Sequence, residues 1–392
     1  LQDATTGSNN VAVGCGALLA NTTGADNVAV GSGVLITNTT GLYNTAVGRS
    51  ALATNNANRN TGLGYFALNA NTTGTQNTSV GFAALDFNTT GSDNTAMGCG
   101  ALLCNTTASN NTALGFKTLF ANTTASYNTS IGWNSSCSNT TGTFNTALGS
   151  GALDANTTAS YNTSIGSYSL SANTTGANNT AVGQQALNAN TTGANNTAVG
   201  KDSLLLNTTG SCNVALGVEA LDSNTTGSSN IGIGTDSLQG NTSGSSNVAI
   251  GDDAMKTNST ASNNVAVGTA ALCTNTTGCQ NTAVGDVALK SNTTGCSHVA
   301  IGHLALCNNT TGNFNTAVGK LALSVNTTGC CNTAFGSYAG SNTTSGNNNH
   351  SFGYDANPSS ATVSHEITLG NAANNNLRCA DTSISTLSDL RD

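Results

Sequence analysis

Among the acceptors of the form Asn-x-Ser/Thr in the chain, nineteen form one row at near-constant spacing. They begin at Asn21, Asn38, Asn71, Asn88, Asn105, Asn122, Asn139, Asn156, Asn173 and Asn190. Asn207, Asn224, Asn241, Asn258, Asn275, Asn292, Asn309, Asn326 and Asn342 complete the row. Such tripeptides accept N-linked glycans, so one reading is a regular row of sugars shielding the surface. The other reading needs no sugar. Asn and Thr make good turns by bonding their own backbone, and a repeat copies an accidental acceptor with everything else. The sequence leaves both open.

Other reactive types are sparse and scattered. Asp252-Asp253 is the only Asp-Asp pair and reads as a solvated turn. Cys296, His298 and His303 lie close in sequence but lack the spacing of a metal site, and no Cys-x-x-Cys occurs. No metal site and no cofactor are expected. Phe116, Phe120, Tyr127, Trp133, Phe144 and Tyr161 fall at turns, and they read as packing residues that do not align in one ladder.

Composition narrows the class further. Only 7% of the 392 residues are charged and 4% are aromatic. Nine Lys and Arg against seventeen Asp and Glu cannot make a basic stripe, which argues against a nucleic-acid partner. No apolar run reaches the ~18 residues of a membrane-spanning helix, so no membrane insertion is expected. An apolar content of 37% is thin for a compact domain of this length.

The element that must position these residues is a repeat. The Gly ending Asn10-Val11-Ala12-Val13-Gly14 recurs at Gly31, Gly48, Gly64 and Gly81, and so on to Gly353 and Gly370. Every step is seventeen residues except Gly48 to Gly64, which is sixteen. The unit reads Asn-Thr-Ala-Val-Gly-x-x-Ala-Leu-x-x-Asn-Thr-Thr-Gly-x-x. Gly and Asn-Thr-Thr interrupt it too often for a helical stripe. It predicts an all-β parallel β-solenoid, or β-roll, of 22 units, each coil having two short strands and two corners. Inward side chains would be small ones alternating with Val or Leu. The Asn four residues before each marker Gly reads as a stacked amide ladder, with His298 and Glu366 as exceptions. Residues 1–363 form the repeat region, and 364–392 a C-terminal cap and junction.

Stacking also pairs cysteines. Cys279 and Cys296 hold the same place in adjacent units. A coil spacing of about 4.8 Å brings them within disulfide reach in an oxidising compartment. Thr ladders in such a stack could also order water at an ice surface. Here the Thr pair sits beside Gly in a turn, which argues against that use.

Two family resemblances follow. Glu366-Ile367-Thr368-Leu369-Gly370-Asn371, Leu377-Arg378-Cys379 and Leu387-Ser388-Asp389-Leu390-Arg391 resemble the junction of phage and viral tail-fibre proteins. That junction precedes a self-cleaving, endosialidase-type intramolecular chaperone. The resemblance implies Ser388 as nucleophile and Ser388–Asp389 as the scissile bond. The partner Lys of that family would fall at position 393, after Asp392. Without a base in reach of the Ser388 hydroxyl, the chain is expected not to be an enzyme. Asn-Thr-Ala-Val-Gly and Asn-Val-Ala-Ile-Gly resemble the repeats of trimeric autotransporter adhesin heads, which are trimers of left-handed β-rolls. Both resemblances imply a homotrimer. The expected function is the structural shaft of an attachment fibre on a virion, whose external partner would be a host-surface glycan or receptor. The alternative is an extracellular microbial surface filament or adhesin, glycosylated along its Asn-Thr-Thr turns.

Overall fold

Each unit contains one alternation of apolar residues too short to bury itself alone, so it must stack. The computed structural model describes residues 5–373 and has this form. Twenty-two three-residue strands, β1 (Val11–Val13) through β22 (Ile367–Leu369), lie side by side in one parallel sheet. Each pairs in register with the strand one unit along, as in Val11↔Val28, Ala12↔Ala29 and Val13↔Val30. The shortened unit keeps that register, with Thr45↔Thr61 and Val47↔Leu63. The stack continues through β22, inside the segment set apart as cap and junction. No helix occurs among the described residues. The chain is a parallel β-solenoid in which each strand packs only on its neighbours in sequence.

The coil differs from expectation in two respects. It has one strand, not two. The Ala-Leu segment is a turn, because the Leu takes a left-handed conformation, as at Leu52 (φ 52°) and Leu204 (φ 51°). That conformation costs a bulky residue roughly 1–2 kcal/mol. Complete burial of the same side chain returns about 2–3 kcal/mol, so the Leu is held inside. The second difference concerns the strand. Its small middle residue points inward, as at Ala181 and Ala198, and the Val, Ile or Leu after it points outward. The core is therefore a column of Ala and Leu, with polar walls of Asn.

The marker Gly is required by its backbone. Gly200 has φ 139°, and a Cβ there would run into the carbonyl oxygen of Gly217 on the next coil. Between coils the backbone bonds run almost continuously. Val28 donates its N–H to the Asn44 carbonyl at 2.8 Å, Gly31 to Val13 at 2.8 Å, and Thr22 to Thr39 at 3.0 Å.

Candidate interaction surface

The Asn of the Asn-Thr-Thr turn is a core residue. From Asn21 to Asn326 these side chains are buried. Asn224 is typical: its Nδ2 donates to the Oδ1 of Asn207 at 2.8 Å and to the Gly227 carbonyl of its own turn at 3.0 Å. Both amide hydrogens are used. A glycan on Nδ2 would remove one of these bonds and require room for a sugar at a fully buried atom. Of the two readings open for Asn21, Asn38, Asn71, Asn88, Asn105, Asn122, Asn139, Asn156, Asn173, Asn190, Asn207, Asn224, Asn241, Asn258, Asn275, Asn292, Asn309 and Asn326, this geometry favours the one without sugar: the side chains form an interior amide ladder. Asn342 stands one residue out of step. Thr343 takes the ladder position and is buried, while Asn342 donates to the Pro358 carbonyl at 2.9 Å. The Oδ1 of Asn326 and the Oγ1 of Thr343 consequently lack partners.

A second ladder lies four residues before each marker Gly. Asn213 Oδ1 accepts the Asn230 backbone N–H at 3.0 Å, and Asn230 Nδ2 donates to the Gly244 carbonyl at 2.8 Å. His298 imitates an Asn here. Its Nδ1 accepts the Asn315 N–H at 3.2 Å, and its ring is buried. Burial pushes the His298 pKa down to about 4. Glu366 departs differently, because its carboxylate accepts from the Ser359 Oγ (2.6 Å) and N–H (2.9 Å). Those bonds hold it below its ordinary value.

Stacking brings together what the sequence left scattered. Three of the six aromatics, Tyr127, Phe144 and Tyr161, share one ladder, although the six together do not. Their rings are parallel within 2°, with centroids 4.9 and 5.2 Å apart. Phe144 is covered on both faces, and Tyr127 and Tyr161 are each covered on one. Trp133, Phe116 and Phe120 stand elsewhere on the coil; Lys117 Nζ lies 5.3 and 5.4 Å from the ring centres of Phe116 and Phe120.

A column of four carboxylates, Asp202, Glu219, Asp236 and Asp253, was missed. Their common offset of two residues after the marker Gly would have found it. Their charge is offset locally. Lys256 Nζ bridges Asp236 (2.8 Å) and Asp253 (2.9 Å), Lys201 meets Asp202 at 3.1 Å, and Gln239 donates to Glu219 at 2.8 Å. Asp252 accepts the Thr235 N–H at 3.1 Å. Among the described residues no three His, Cys, Asp or Glu side chains gather in a way that could hold a metal ion. Cys279 and Cys296 are brought together, while Cys296, His298 and His303 are not. Ser388 and Asp389 lie outside the described residues.

The surface that runs the whole length is the outer face of the sheet. Its third strand position is apolar in every coil, from Val13 through Leu148, Leu216 and Ile301 to Leu369. Its first position is Thr in ten consecutive strands, Thr45 to Thr197, and then mostly Val or Ile from Val214 to Val299. None of these positions carries Asp, Glu, Lys or Arg, although the chain has twenty-six such residues (9 + 17). The column reaches solvent along its length, half-buried in twelve coils such as Val182 and exposed in the other ten, as at Leu216 (47%) and Ile301 (40%). Against known families and curated proteins, the chain matches no family model and no curated protein.

Proposed function

We propose that this chain is the structural shaft of a homotrimeric attachment fibre, carried on a virion and without catalytic activity of its own. The observation that supports it most is the unbroken stack of twenty-two in-register strands, each touching only its neighbours. At about 4.8 Å per coil that stack is a rod on the order of 100 Å long and one coil wide. Such a body is good at holding things apart and poor at enclosing a substrate. The motif from Glu366 to Arg391 supports the virion setting, and it assigns Ser388–Asp389 as a self-cleavage junction served by a downstream chaperone. A host-surface glycan or receptor is the proposed external partner. The alternative is an extracellular microbial surface filament or adhesin, which the same repeating stack would also serve.

Imaging of the purified protein tests this reading. A three-fold rod of defined length supports the fibre. End-to-end polymers with helical symmetry support the filament, and a single-chain particle overturns the trimer.

A further inference from the structure

We infer that the outer face of the sheet is where copies of this chain meet, side by side and coil against coil. The inference rests on the self-association proposed above and names its surface. Three observations carry it. First, this face alone joins an unbroken apolar column to a complete absence of charge, while the charged residues sit on other columns of the coil. Unbroken apolar surface of this length on a soluble rod marks an interaction site. Second, the column repeats at the strand spacing of about 4.8 Å. A partner must offer apolar groups at the same pitch over the same length, and another copy of this chain does so by construction. Third, the area is sufficient. A strip on the order of 100 Å long and about 7 Å wide, the distance between alternate residues of a strand, gives roughly 700 Å² per chain. Two such faces come to roughly 1,400 Å², within the range of stable specific interfaces. Each coil has one face of this kind, so the association closes on itself as a small bundle and does not spread as a layer.

The stretch from Val214 to Ile301 forms the firmest part of the contact. There both outward positions are aliphatic in all strands but one: Val214 with Leu216, Ile231 with Ile233, Val248 with Ile250, and Val299 with Ile301. From Thr45 to Thr197 the Thr hydroxyls leave that half of the face more polar.

The test is a triple variant, Val182→Lys, Leu216→Lys and Ile250→Lys, on alternate coils so that the new charges do not stack. Its counterpart is Thr192→Lys, Thr226→Lys and Thr260→Lys, on the exposed Thr column of the turn. Sedimentation at micromolar protein reads the mass, and far-ultraviolet circular dichroism reads the fold. The native chain and the turn variant are expected to sediment as a multiple of the 38.7 kDa chain, and the sheet-face variant as a single chain with the native spectrum. If the sheet-face variant loses its spectrum, Leu216→Thr with Ile250→Thr replaces it, since Thr already fills this face elsewhere. That pair is expected to weaken association at least tenfold. A sheet-face variant that stays fully associated overturns the inference and leaves the fibre reading standing. A native chain that sediments alone overturns both, and a thermal-hysteresis measurement then asks whether the face meets ice.

Discussion

Asn38 and Asn55 hold the same place in consecutive coils, yet the Asn55 amide donates to Ala57 at 3.0 Å and leaves the buried Oδ1 of Asn38 without a donor. This is the one step in the Gly-to-Gly spacing that is a residue short. Side chains patch the gap. Asn56 Oδ1 accepts the N–H groups of Thr39 (3.0 Å) and Thr40 (2.9 Å), and Asn58 Oδ1 accepts that of Leu42 at 2.8 Å. Elsewhere backbone carbonyls take the Thr N–H bonds, as Thr39 does for Thr22 and Thr23. Asn56→Ala is expected to orphan two N–H groups and cost about 1–2 kcal/mol locally. Amide exchange at Thr39 and Thr40 should quicken by roughly tenfold or more. Unchanged exchange there would show that Asn56 is not the patch.

His298 makes stability depend on pH. Its folded pKa of about 4 lies below the ~6.5 of an unfolded histidine. The folded coil therefore keeps this contribution in full above about pH 6.5. It loses the contribution as pH falls towards 4, by about 3 kcal/mol in all. His298→Asn restores the ladder residue and is expected to flatten that part of the curve. Urea denaturation at pH 7 and pH 4.5 checks it, and an equal acid loss in both proteins sinks the assignment.

Cys279 and Cys296 hold their Sγ atoms 3.4 Å apart on adjacent coils. A hydrogen bond to the Cys296 thiol, with burial, pushes the Cys279 thiol above its ordinary value. Oxidation to a disulfide is expected, faster at alkaline pH where the thiolate forms. A peptide map of non-reduced protein should show the two joined. Separate thiols after mild oxidation would exclude the bond.

Native material, or protein secreted from a eukaryotic host, is expected to carry the bare polypeptide mass at the Asn-Thr-Thr turns from Asn21 to Asn326. A sugar on Nδ2 is incompatible with two donated bonds and full burial. Folded protein with hexosamine-sized mass increments on those residues would contradict the interior ladder.

The stacking register was legible in the sequence, because only Gly tolerates φ near 139° beside the next coil's carbonyl, and the spacing of Gly200 and its equivalents shows directly. The direction of side chains was less so. Leu204 was read as part of a second strand, since its left-handed backbone is paid for by burial that no local pattern displays. The role of Asn207 stayed open between acceptor and turn residue, because an Asn-Thr-Thr turn reads the same whether its amide faces out or in. Contacts between coils, such as Tyr127 on Phe144, were legible in principle at an offset of seventeen, but single residues in turns do not stand out until the register is laid down.

Most coils hand their neighbour the surface they received from the one before, with Ala on Ala, Leu on Leu and amide on amide. Adding or removing a whole unit therefore creates no new kind of contact and disturbs no interior. Reach becomes a free parameter of the gene: slippage or recombination between near-identical repeats lengthens or shortens the rod by about 4.8 Å at a time, without asking the fold to be invented again.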